Sequence, residues 1–285
     1  MKKIYVALFV TISVLLTVSC DKNNDDLIPS YIRIDTVMVK GNPDINEGTL
    51  SHNITDAWVY IDDELIGTFE LPATFPVLKE GEVDVVIKAG IKLNGVSSTR
   101  VPYPFYTDYV MNGVSLEKKE ITTLIPEVTY QEESIIPWRE SFEDNDFRLV
   151  EKGDTSVFLT PVQEAFEGSG SGRVIMDMPQ GLYEATSDTG YVLPRNGSPV
   201  FLEMNFKTNH PVTVGVYADN PAINNQKALV ILNPTPFWKK IYINITSTVL
   251  STPEATSYRI FYGTTKVESE ETAVIDVDNL KLIHY

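Results

Sequence analysis

Beyond residue 20 the chain has no long stretch with apolar residues at three-four spacing. Short runs of alternating β-branched and aromatic residues recur instead, broken by Gly, Pro, Asn and Asp. Alternation sends successive side chains to opposite faces of a strand, so each run can cover one face of a sheet. Many such runs in one chain have to close as layered sheets. The pattern predicts an all-β protein of two β-sandwich domains. The first, over 31–125, carries candidate strands at 32–40, 56–61, 64–71, 73–78, 81–89, 91–93 and 114–124, with Asp62-Asp63 and Glu80-Gly81 as turns. Residues 126–137, with Glu132-Glu133-Ser134 between prolines, read as a linker. The second domain, over 138–285, carries candidate strands at 147–151, 157–161, 173–178, 183–187, 200–207, 212–218, 227–232, 238–243, 257–264 and 273–283, a number that suits a two-sheet jelly roll.

The first thirty residues have a different character. Lys2 and Lys3 precede an almost unbroken apolar run from Ile4 to Val18, then Ser19-Cys20, then Asp21 to Asp26. The run is shorter than the roughly 20 residues that span a bilayer and has the flanks of a signal peptide over 1–19. Cys20 is the only cysteine, so no intramolecular disulfide is available and both sandwiches must hold by their own cores. Leu16-Thr17-Val18-Ser19-Cys20 resembles the lipobox of bacterial lipoproteins, although Thr17 stands where Leu is usual. That resemblance implies cleavage before Cys20, acyl chains of the palmitate type on it, and a membrane held as partner through the lipid. The following acidic run, within a tether over 20–30, resembles the export signal of surface lipoproteins in Bacteroidetes-type bacteria. It implies an outer-membrane location facing the cell exterior.

Removing the signal leaves about 266 residues, 43% of the whole chain being hydrophobic, enough for real cores. The 39 acidic against 23 basic residues, net −16, argue against nucleic acid, whose phosphates require Lys and Arg. His52, His210 and His284 are far apart in sequence and lack metal-ligand spacing, and no Gly-x-Ser-x-Gly elbow or phosphate-binding loop occurs. Gly168-Ser169-Gly170-Ser171-Gly172 reads as a flexible turn. No Glu-x-Asp-x-x-Glu run offers the carboxylate pair of a glycosidase. The expectation is a protein without catalytic residues.

Ala57 to Phe69, then Leu71-Pro72-Ala73, then Leu78 to Ile87, resembles a PEGA-type module, a small β-sandwich of cell-surface proteins with an interaction or support role. In the second region Glu140-Ser141-Phe142-Glu143, the glycine turn after Phe166, and the closing Asp278-Asn279-Leu280-Lys281-Leu282 resemble the jelly rolls of carbohydrate-binding modules and galactose-binding-like domains. That resemblance implies a structural calcium between the first and last strands, with Glu143 and Asp278 as matching ligands.

Two binding surfaces compete. On Val212 to Tyr217, alternation turns Thr213, Gly215 and Tyr217 away from the face that carries Val212, Val214 and Val216. Tyr217 with Asp219 and Asn220 then forms a candidate glycan site, against a reading in which the domain's rings pack between its sheets. Tyr183, Tyr191, Phe237 and Tyr262 are further candidate rings, whereas Trp138 and Trp238 read as core or seam. The stretch Arg100 to Tyr109, with two prolines and four aromatics, suits neither a central strand nor a helix. Tyr103 and Tyr106 then face either a ligand, glycan or envelope protein, or the core and interdomain seam.

Overall fold

The computed structural model of the chain describes residues 28–144, 146–153, 160–161, 165–220, 224–267 and 271–285. The signal segment, Cys20 and the run Asp21 to Asp26 lie outside the described residues, as do 157–159 of one predicted strand. The described residues form strands almost throughout, with one six-residue helix, α1 (Thr246–Ser251).

In the N-terminal sandwich, β3 (Asp56–Ile61) lies between β4 (Glu64–Glu70) and β6 (Gly81–Lys92). Both β7 (Arg100–Pro102) and β8 (Tyr109–Leu116) pair with the far edge of β6. The opposing sheet places β1 (Ser30–Ile34) between β5 (Ala73–Val77) and β9 (Ile121–Leu124). Alternation fills the space between them: Ala57, Val59 and Ile61 from β3 meet Val85, Ile87 and Ile91 from β6, all buried. Asp62 and Asp63 join β3 to β4 with φ of 50° and 64°, the paired positive values of the two-residue hairpin turn.

Three predicted elements differ. The run 32–40 breaks into β1 and the short β2 (Met38–Val39). Strand 91–93 merges into β6, because Gly90 does not end the strand. It lets the chain approach β3 so closely that a Cβ there would meet the Asp56 carbonyl oxygen at 3.0 Å. The run 114–124 breaks at Lys119, whose φ of 69° makes a turn between β8 and β9.

The C-terminal domain is a two-sheet sandwich. One sheet runs β13 (Thr160–Pro161), β14 (Gly172–Met176), β21 (Ala273–His284), β16 (Val200–Thr208), β19 (Thr235–Asn244), and β11 (Ile135–Glu140) also pairs with β21. The other runs β12 (Leu149–Gly153), β15 (Gly181–Ser187), β20 (Ser257–Lys266), β17 (Val212–Asp219), β18 (Asn224–Leu232). Leu202, Met204, Val277 and Leu282 from the first sheet pack on Val214, Val216 and Ile260 from the second. Helix α1 was missed because six residues, four of them Ser or Thr, show no helical period, and Val249 alone is buried.

Residues 126–137 are not a free linker. β10 (Glu127–Val128) pairs in parallel with β2, Tyr130 is fully buried, and Ile135 already belongs to β11.

The domains share a core. Phe201, Tyr242 and Ile283 stand on the outer face of the jelly-roll sheet and belong to the hydrophobic cluster of the N-terminal sandwich. Phe105 and Tyr103 pack edge-on against Phe201 at 5.9 and 5.5 Å between ring centroids. At the centre lies Glu203, 0% exposed, 2.6 Å from the Lys240 ammonium and 3.7 Å from that of Lys281. It accepts hydrogen bonds from the Tyr103 hydroxyl (2.6 Å) and the Tyr130 hydroxyl (2.9 Å). Burial alone would push this carboxyl up, but the two lysines outweigh it and hold it at about 2. A hairpin tip seals the edge: the Asn94 N–H donates to the Tyr242 carbonyl, and the Asn244 N–H to Asn94 Oδ1 at 2.8 Å. The aromatic-proline segment is therefore seam. Tyr103 and Tyr106, each 3% exposed, are corrected from candidate ligand platforms to the packing that joins the domains.

Candidate functional site

The outer face of the five-stranded sheet is open, and a groove of about 600 Å³ runs over it. Period-two alternation builds it. On β15, β17 and β20 the inward residues Tyr183, Val216 and Tyr262 are core, while Glu184, Tyr217 and Phe261 take the other face. Gly215 stands opposite Phe261 in the ladder, and a Cβ there would press on the Phe261 ring at 2.6 Å. The missing side chain leaves room for that ring, which is buried, with Tyr217 tilted against it at 5.2 Å between centroids.

Tyr217 is half-buried and held by polar neighbours. Its hydroxyl donates to Glu184 Oε1 at 2.7 Å, and Gln226 Nε2 donates to Glu184 Oε2 at 2.9 Å. Arg259 grips Asp219 with two bonds of 2.7 Å and places its guanidinium 5.1 Å from the Tyr217 ring centroid. The Lys152 ammonium, on the exposed end of β12, sits 4.9 Å from the same centroid. Burial raises the Tyr217 hydroxyl above its ordinary range, and the Glu184 charge adds to this, so the phenol stays protonated and donating. An aromatic ring ringed by a carboxylate, an amide, an ammonium and threonine hydroxyls can take a polyol with one apolar face.

Of the residues expected at this site, the structure brings Tyr217 and Asp219 together through Arg259. Asn220 lies just beyond the end of β17 and does not line the groove. Tyr183 and Tyr262 are core, and Tyr191 pairs with Tyr258 through the backbone. Trp138 is buried, its indole N–H on the Arg148 carbonyl at 3.3 Å. Trp238 is only partly buried, edge-on to Phe166 at 5.9 Å, and Phe237 beside it is 75% exposed. Lys152, Glu184, Gln226, Arg259 and Phe261 were not anticipated. Alternation within each strand could have turned Glu184 and Phe261 outward, but only strand order shows that β20 lies beside β17 with β15 next beyond it.

Glu143 and Asp278 converge on the loop Phe166 to Gly170. Glu143 accepts from the Ser169 N–H and hydroxyl (2.9–3.1 Å) and the Gly170 N–H (3.2 Å), and Asp278 from the N–H groups of Phe166 (3.1 Å), Glu167 (3.4 Å) and Asn279 (2.7 Å). The glycines serve this contact: Gly168 has φ +72°, and a Cβ on Gly170 would overlap the Phe142 carbonyl oxygen. The turn expected to be flexible is thus a cradle for a carboxylate. A calcium ion wants six to eight oxygens, yet the loop presents N–H donors to both carboxylates. No group of three or more His, Cys, Asp or Glu gathers among the described residues. Burial, with the Glu143 charge adding, lifts Asp278 to about 7. The described residues do not fit a calcium cage, and the two carboxylates fasten the loop to the sandwich.

No protein-family model matches the chain, and no curated protein matches it. Solved structures that resemble part of it are carbohydrate-binding modules. A family-22 module joined to a xylanase module from Clostridium thermocellum, solved with xylohexaose, is 17% identical over 53% of this chain and 28% of that one, with a TM-score of 0.42. A family-22 xylan-binding domain is 15% identical over 52% of this chain and 93% of its own length, at 0.36. A family-61 module solved with β-1,4-galactotriose is 14% identical over 51% and 91%, at 0.34. The architecture itself rests on the strand order given above.

Proposed function

We propose that the chain is a non-catalytic, lipid-anchored surface protein that binds extracellular glycan on the outer face of its five-stranded sheet. The observation that carries this is Tyr217, set in an open groove over a buried Phe261 and bordered by Glu184, Gln226, Lys152 and Arg259. A sugar ring would stack on Tyr217 in place of the Lys152 ammonium, which stands on an exposed strand end and can swing away. Glu184 and Gln226 would then take its hydroxyls. Hydrolysis of a glycosidic bond takes two carboxylates across the substrate. Among the described residues Glu184 is the one carboxylate lining the groove, and both its oxygens are already hydrogen-bonded.

The position of the N-terminal sandwich supports the anchored reading. Ser30 lies beside Val77 and Lys79, at the end of β6 that pairs with Leu116, whereas the seam is built at the other end, around Asn94 and Tyr103. A lipid on Cys20 would enter at the far end from the jelly roll, making the first domain a rigid spacer. The competing reading, an envelope-protein surface at Tyr103 to Tyr109, loses its support because Tyr103, Phe105 and Tyr106 are buried.

A glycan array probed with the full chain tests the binding; no bound glycan would refute it. Replacing Cys20 with Ala and fractionating cells tests the anchor. Retention of the variant in the membrane fraction would refute that part alone.

A further inference from the structure

A second cavity, of about 740 Å³, opens where the two domains meet. The β6–β7 hairpin supplies one wall with Lys92, Asn94 and Ser97, and β18 and β19 supply the other with Asn233 and Lys239, over a floor that includes Ile241. The chain has 39 acidic residues against 23 basic, yet no Asp or Glu is among the described residues lining this cleft. Lys240 also borders it, but its ammonium is committed to Glu203. Lys92 is 3.8 Å from a mostly exposed Glu70. Lys239 is exposed and has no ion-pair partner among the described residues.

We propose that this interdomain cleft is a second binding site, and that its ligand is an anionic oligosaccharide, carboxylated or sulfated. Two lysines border the cleft, Lys239 without an ion-pair partner among the described residues and Lys92 with only the mostly exposed Glu70, so the cleft is a locally basic place in an otherwise acidic molecule. The apolar floor suits the C–H face of a sugar, and the asparagine and serine side chains suit its hydroxyls. The walls belong to different domains but are fixed by the seam, through the Asn94–Tyr242 and Asn244–Asn94 hydrogen bonds, so the site is formed before binding. An acidic peptide added to the edge of β19 is disfavoured. The Lys240 carbonyl already accepts from Asn53 Nδ2, and Asn94 takes the Tyr242 carbonyl and the Asn244 N–H. The site does not depend on whether the Tyr217 groove binds.

The test is calorimetric titration of the full chain in detergent with oligogalacturonate and with a sulfated dextran oligomer, against a neutral oligosaccharide of the same length. At least one anionic probe is expected to bind. Its affinity should fall at least about tenfold in the Lys92→Gln, Lys239→Gln double variant and in 0.5 M salt, and stay within about twofold in Tyr217→Ala. Lys239→Glu alone, at an exposed position, gives the same direction if the double variant loses stability. The proposal is overturned if neither anionic probe binds, if binding survives both lysine changes, or if Tyr217→Ala removes it. It is overturned also if a polyglutamate peptide binds with the same lysine dependence and the saccharides do not.

Discussion

Replacing Glu203 with Gln keeps the shape of the seam and removes its central negative charge. In the native protein that carboxylate is fully buried between Lys240 and Lys281 and takes hydrogen bonds from two tyrosine hydroxyls. Its depression from 4.5 to about 2 corresponds to about 3 kcal/mol in favour of the folded state at neutral pH. That agrees with the roughly 3–5 kcal/mol lost when one partner of a buried pair is removed. For a chain of this size roughly 2–4 °C per kcal/mol is expected, so the variant should melt about 6–12 °C lower at pH 7. The sign with pH follows from the depressed value. The stabilisation is whole above about 4.5 and is lost as the pH falls towards about 2, so by pH 3 more than half of the difference should be gone. Scanning calorimetry of both proteins at pH 7, 4.5 and 3 measures this. A shift below 2 °C at pH 7, or a gap that does not narrow in acid, would refute the reasoning that this charge cluster holds the domains together.

Other perturbations test neighbouring parts. Phe105→Ala, at a fully buried ring between Tyr103, Phe201 and Tyr285, should destabilise by about 3–5 kcal/mol in urea unfolding; a loss under 1 kcal/mol would mean the seam repacks freely. Gly170→Ala should lower the melting temperature by several degrees, because the new Cβ meets backbone rather than a movable side chain. Asp278, raised to about 7, favours the folded state below its unfolded value near 3.8, and that contribution fades as the pH rises through 7. Relative to Asp278→Asn, the native protein should therefore lose stability between pH 5 and pH 8, and a difference constant with pH would contradict the shift.

Alternation carried most of the fold into view. It placed Val212, Val214 and Val216 inward and Tyr217 outward, and the outward face is where the groove lies. It could not show that Gly90 continues a strand, since that depends on how closely β3 approaches, nor that Lys119 turns the chain. Nor did it settle Tyr103 and Tyr106, because the same aromatic composition serves an exposed platform and a sealed seam. The difference lies in Glu203, Lys240 and Lys281, which are about a hundred or more positions away in sequence and spaced along three separate strands. Charged residues on strands read as solvent-facing in isolation, and their burial becomes visible only once a second domain covers the sheet. The groove was half legible for the same reason: Tyr217 and Asp219 share one strand, but Lys152, Glu184 and Arg259 reach them from β12, β15 and β20.

The central claim, that the outer face of the five-stranded sheet binds glycan through Tyr217, is tested most directly by titrating an array-selected neutral oligosaccharide into the native chain and Tyr217→Ala. The account predicts binding by the native chain that weakens at least about tenfold, about 1.4 kcal/mol, in the variant, with the melting temperature of the two proteins close together. Equal affinity in the two proteins would contradict it.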